Sequence, residues 1–159
     1  MGRLPVAALC ALLLLAAFAG CGDAGGDEPP SKRERQQAAY EEERAAYIEE
    51  TDGFCRRMSR RIHDELAPYE RRVGNPPDPE ASAKLVEVMA PREEFAMRRV
   101  RSIVLPNRDV EAVLHFLDVW RDEVDRAKRD PVAFVEAEPP FPEAERLARQ
   151  FGFEDCGKL

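Results

Sequence analysis

Strand-forming residues are scarce in this chain. Thr51 is its only threonine, and no stretch alternates apolar and polar residues for as long as a half-buried strand needs. That argues against a sheet. Lysine is scarce as well: Lys32, Lys84, Lys128 and Lys158 are all there are, and arginine supplies the rest of the 24 basic residues, set against 31 acidic ones. The formal net charge of −7 speaks against a general nucleic-acid binder, because counterion release needs a basic surface. Ser31, Ser59, Ser82 and Ser102 are the only serines, and none stands in a G-x-S-x-G. Walker A and dinucleotide fingerprints are missing too. Paired carboxylates from distant helices are the remaining route to catalysis. With no motif pointing to one, the expectation is a protein that is not an enzyme and carries no cofactor.

What is present is concentrated first at the N-terminus. Residues 1–20 read MGRLPVAALCALLLLAAFAG. Arg3 gives a positive start, Val6 to Ala19 is uncharged and apolar, and small residues gather before Cys21. That order is the pattern of a secretory signal peptide. The segment FAGC, residues 18–21, resembles the lipobox of bacterial lipoproteins, with Phe18 where that family most often has leucine. The resemblance implies cleavage before Cys21 and a thiol carrying diacylglycerol, with palmitate-type chains holding the protein to the cell membrane on its extracytoplasmic face. Two alternatives stay open. Cleavage after the A-x-A site at 17–19 would leave Cys21 two residues from a soluble N-terminus. An uncleaved Leu4–Gly22 segment approaches the roughly 20 residues of a spanning helix. All three place the body beyond the cytoplasmic membrane.

Cysteine parity bears on the choice. The chain has Cys10, Cys21, Cys55 and Cys156. Cys10 leaves with the signal peptide, and lipidation of Cys21 leaves two that can pair in an oxidising compartment. A Cys55–Cys156 disulfide is therefore expected, against the alternative of two buried thiols. Its loop of about 100 residues corresponds to a nominal stabilisation of about 4.7 kcal/mol, which native strain commonly trims to about 2–4.

The body reads as one all-α domain, an antiparallel bundle of about four to five helices. The expected division is a signal peptide at 1–20, a lipidated cysteine with a flexible tether at 21–36, and the bundle at 37–159. The tether composition is clearest in GDAGGDEPPS, residues 22–31, too small and acidic to bury a core. Tyr40, Tyr47 and Phe54 recur every seven residues, as do Ile48, Cys55, Ile62 and Tyr69. They predict a first helix, loosened at TDG (51–53) and ended near Pro68. GNPPDP, 74–79, is a loop, after which Asp78 caps and Pro79 opens a second helix. Leu85, Met89, Ala96, Val100 and Ile103 form its inner face, with Val86, Val88 and Phe95 beside them. Pro91 is expected to kink or break it. Val110, Val113, Leu117, Trp120, Val124 and Ala127 predict a third helix, capped by Asn107 or Asp109. Its stripe is broad enough for a central position. Asp130-Pro131 starts a short fourth helix and Pro142 a fifth, with Gly152 at a left-handed end and Phe153 folding back in a Schellman turn that delivers Cys156 toward Cys55. The ending ARQFGFEDCG, 148–157, resembles the C-termini of secreted helical proteins and lipoproteins of GC-rich bacteria; that likeness covers ten residues and implies no activity.

Several side-chain groups are candidates for function. Glu111, His115, Asp118 and Asp122 share one strip of the third helix and are the weak candidates for a divalent metal. The competing account is a solvated face paired with Arg108 and Arg126. RRMSRR at 56–61 and RRVR at 98–101 are candidate contacts for anionic lipid headgroups or envelope polymers; alternatively Arg60–Asp64 and Arg61–Glu65 pair along the helix. His63 reads as a boundary residue, and Met58, Met89 and Met97 as packing residues. The function expected is a membrane-anchored binding or interaction module, with an envelope protein or anionic polymer as partner. The alternative is a carrier of an apolar or amphipathic small ligand, in a cavity opened by Pro68 and Pro91 beside the third helix.

Overall fold

The computed structural model describes residues 29–158. The signal-like segment, the Leu4–Gly22 stretch and Cys21 lie outside them. The body is all-α: α1 Lys32–Val73, α2 Pro79–Ser102, α3 Val110–Arg129, α4 Pro131–Glu136 and α5 Pro142–Phe151, with a 3-10 turn at Asn107–Asp109. No helix among the described residues is long and apolar enough to cross a membrane.

Local chemistry explains most boundaries. Ser31 accepts from the Glu34 N–H at 3.3 Å and Glu34 accepts from the Ser31 N–H at 2.6 Å, a reciprocal capping box. Helix therefore begins at Lys32, and residues 32–36 belong to α1 and not to the tether. Asp78 accepts from the Ala81 N–H at 2.7 Å and Pro79 takes the first position of α2, as expected. Asp130 caps α4 in the same way, accepting from the Ala133 N–H at 3.1 Å. Asp109 occupies the N-cap position of α3 without a side-chain capping bond. Gly152 adopts φ 108°, and the Phe153 N–H reaches the Ala148 carbonyl at 2.9 Å while Gly152 reaches Arg149 at 3.1 Å. That is the Schellman ending.

Pro68 does not end its helix as expected, and of the two outcomes expected at Pro91 the break does not occur. Pro68 and Pro91 both lie inside continuous helices. Each is solvent-exposed, and so are Asp64 and Glu87 four residues before them. A carbonyl deprived of its N–H partner on that side can be met by water, while Leu66, Val73, Ala90 and Ala96 hold the flanking turns on the core. The TDG segment is not loosened either: Thr51 and Asp52 are buried within α1.

α2 packs against α1, α3 and α4, and α3 against α2, α4 and α5. The centre is shared by α2 and α3; α3 does not hold it alone. Met58, Met89, Met97, Phe116 and Trp120 fill the core. Val110 at 37% exposure and Phe95 at 49% stand outside it, contrary to their place in the sequence stripes.

The chain after α5 lies along α1. Phe153 packs against Tyr47, Phe116 and Phe151, with ring centroids 5.9, 5.8 and 4.8 Å away. Cys156 is disulfide-bonded to Cys55, with 5.1 Å between their Cα atoms.

Candidate functional site

A groove of about 280 Å³ opens between the C-terminal half of α1, the start of α2 and α4. Ile62, Leu66 and Val73 supply its α1 wall at helical spacing, Leu85 its α2 side, and Phe134 and Val135 its α4 side. α4 is fixed there by its Asp130 cap, by the Ala137 N–H bonding to Phe134 O at 3.2 Å, and by the Phe134–Phe141 ring pair at 5.4 Å. His63 and Glu70 border the groove, and both are exposed. The volume lies near the lower end of small-molecule sites. An apolar floor with polar groups at the mouth suits a ligand with an apolar body and one polar end. Neither Pro68, Pro91 nor α3 lines the groove.

Three carboxylates that sequence reasoning passed over prove to be buried: Asp52, Glu93 and Glu123. Asp52 accepts the backbone N–H groups of Glu154 at 2.8 Å and Asp155 at 3.0 Å. It thus fixes the turn that presents Cys156. Glu123 accepts the N–H groups of Glu143 at 3.2 Å and Ala144 at 2.9 Å. These are orphan donors at the start of α5, whose own N-cap position is Phe141. Glu93, 2% exposed, has no such partners. Burial pushes its carboxyl up to about 8; the Trp120 indole N–H pulls the other way without reaching hydrogen-bond geometry. All three lie on core faces of their helices, Glu93 between Met89, Ala96 and Val100, so a carboxylate inside an apolar stripe was the available signal.

Around the start of α3, Tyr40 donates to Asp109 at 2.9 Å, and that bond raises the Tyr40 phenol. Arg44 pairs with Asp109 at 3.7 Å, bonds the Phe151 carbonyl and covers the Phe151 ring at 4.8 Å. Arg108 bonds Gln37 at 3.0 Å and lies 4.6 Å over the Tyr40 ring. Tyr47, buried with its hydroxyl unpartnered, is pushed up to about 12 by desolvation.

The metal candidates remain dispersed on the surface. Glu111, His115, Asp118 and Asp122 are exposed. Asp118 and Asp122 face Arg121 at 3.1 and 3.9 Å; the sequence had named Arg108 and Arg126 instead. Among the described residues no group of three His, Cys, Asp or Glu side chains is placed to hold a metal ion. The expected pairs along α1 do not form: Glu65 reaches across to Arg92 at 2.7 Å. Arg56 pairs with Asp155 at 2.8 Å and Arg99 with Glu50 at 3.8 Å. Three serines make local bonds, Ser31 capping α1, Ser82 donating to Asp78 O and Ser102 to Arg99 O, and Ser59 donates to Lys158 O of the chain after α5.

Comparison with known proteins finds no matching family model, curated protein or solved structure.

Proposed function

We propose that this chain is an extracytoplasmic protein held to the membrane through lipidated Cys21. Its helical body acts as a binding module for a small amphipathic ligand, without catalysis. The observation that carries the binding half is the groove between α1, α2 and α4, with its apolar walls and its His63 and Glu70 rim. At about 1.5 Å per residue, its α1 wall begins about 45 Å along the helix from Lys32, so the groove lies far from the start of α1. The anchoring half rests on FAGC at 18–21 and on the Cys55–Cys156 bond, which leaves Cys21 without either cysteine as a partner.

Mass spectrometry of protein extracted from the membrane fraction tests both halves. Under denaturing conditions an acylated chain beginning at Cys21 is expected. An unlipidated chain beginning at Gly20 would refute the anchor. Under native conditions a retained small molecule is expected, and Phe134→Arg should displace it. Retention unchanged by Phe134→Arg, or no retained molecule and no uptake of the amphipathic dye anilinonaphthalene sulfonate, would refute the groove as a binding site.

A further inference from the structure

The connection between α2 and α3 is the most conspicuous apolar feature of the surface. Val104 is 91% exposed, the highest exposure among the large apolar side chains that stand out of the core. Leu105 beside it is half-buried, and Val110 stands exposed after the 3-10 turn. A lone exposed valine needs no explanation; here the position and the neighbours give one. The bonds from Arg108 to Gln37 and from Tyr40 to Asp109 set this connection level with the first turns of α1. Lys32 to Tyr40 is about 12 Å of helix. Ten residues, 22–31, separate Cys21 from α1, and the tether expected from their composition would span about 17 Å. A bilayer holding Cys21 is thus within reach of Val104, on the same end of the body.

The charges beside the tip fit lipid phosphate. Arg98, Arg101 and Arg121 border a cleft of about 370 Å³ between α2 and α3 that starts three residues before Val104. Its acids are engaged by Lys128 and Arg121, Glu94 and Asp125 by the first and Asp118 by the second, which leaves Arg98 and Arg101 to meet phosphate. No carboxylate of a described residue lies within 4.0 Å of Arg98 or Arg101. Lys32, Arg33 and Arg35 add exposed positive charge at the start of α1; Glu34 in the same turn, and Glu41, Glu42, Glu43 and Glu111, are the exposed acids at this level. Arginine favours phosphate through paired N–H donors, and exposed apolar residues next to it can enter the headgroup boundary.

We propose that the Val104–Leu105 tip, with Arg98 and Arg101, rests on the phospholipid leaflet that holds Cys21, seating the body on the membrane and turning the groove outward. This rests on the anchored reading. The test uses the full chain in bacterial membranes, with the photo-crosslinker benzoylphenylalanine in place of Val104 or, as a control at the far end, of the exposed Glu80. Intact mass first establishes that the disulfide is formed and whether Cys21 is acylated. Position 104 is expected to yield phospholipid adducts and position 80 at least tenfold fewer. Adding Arg98→Glu and Arg101→Glu should lower the position-104 yield about fivefold per arginine. Equal yields at both positions, capture of protein in place of lipid, or indifference to the two arginines would overturn the seating. If Cys21 carries no lipid while position 104 still captures phospholipid in an arginine-dependent way, the anchor falls and what stands is the contact of the tip with phospholipid. If Cys21 is acylated and position 104 captures no lipid, the seating falls alone.

Discussion

Two regions of the bundle are held by different means. Where the chain after α5 meets α1, the Cys55–Cys156 bond, two N–H groups on Asp52, the Arg56–Asp155 pair and the Tyr47–Phe151–Phe153 rings fix the same few residues. Around the groove, α4 is one and a half turns long and is held by one cap and by apolar side chains. Directional bonds fix geometry; apolar contacts fix volume and tolerate adjustment. Adaptability was kept around the groove and removed where the chain after α5 crosses the middle of α1.

Replacing both Cys55 and Cys156 by alanine should have the largest effect, a loss of about 2–4 kcal/mol in denaturant unfolding, reproduced by reduction of the natural chain. An unchanged midpoint would erase the distinction between the two regions. Asp52→Ala comes next. It strands two part-buried backbone donors that water can partly meet, at about 1–3 kcal/mol together, and its signature is faster hydrogen exchange at residues 153–157 with exchange in α4 unchanged. Glu93 gives a pH test on the pinned side, where it lines a crevice with Cys55, Met58 and Trp120. Its folded carboxyl titrates near 8, above an unfolded value near 4.3, so between those values the native state binds the extra proton. Stability should therefore fall as pH rises through that window, by up to about 1.4 kcal/mol per pH unit, and level off above it. Glu93→Gln should flatten the slope; a slope that survives would show the wrong group was named. Smallest of all, His63→Ala and Glu70→Gln should shift stability by less than about 0.5 kcal/mol while changing retention of the groove's ligand. A larger loss of stability would mean the rim is structural after all.

Much of the fold is legible in the sequence because helices declare themselves locally. The Asp78-Pro79 and Asp130-Pro131 starts, the Gly152 ending and the apolar stripe of α3 from Val113 to Ala127 each depend on residues within one or two turns. What was misjudged depends on context outside that range. Pro68 and Pro91 are tolerated because of which way they face. Thr51 and Asp52 look like breakers until residues 153–156 lie against them. Glu93 and Glu123 occupy apolar stripes, yet only Glu123 has backbone donors brought to it from α5. The groove was out of reach because it depends on where α4 comes to lie on α1 and α2, a tertiary placement that no local pattern encodes.

The bond between Cys55 and Cys156 spans 101 positions, and its second half follows the last helix. No chain interrupted before α5 and its Gly152 turn can form it. Cys55 would then keep its thiol beneath the missing segment. The covalent ring thus doubles as a mark of completeness: a body that no longer reacts with a thiol reagent when unfolded is one whose final turn has been made and set in place.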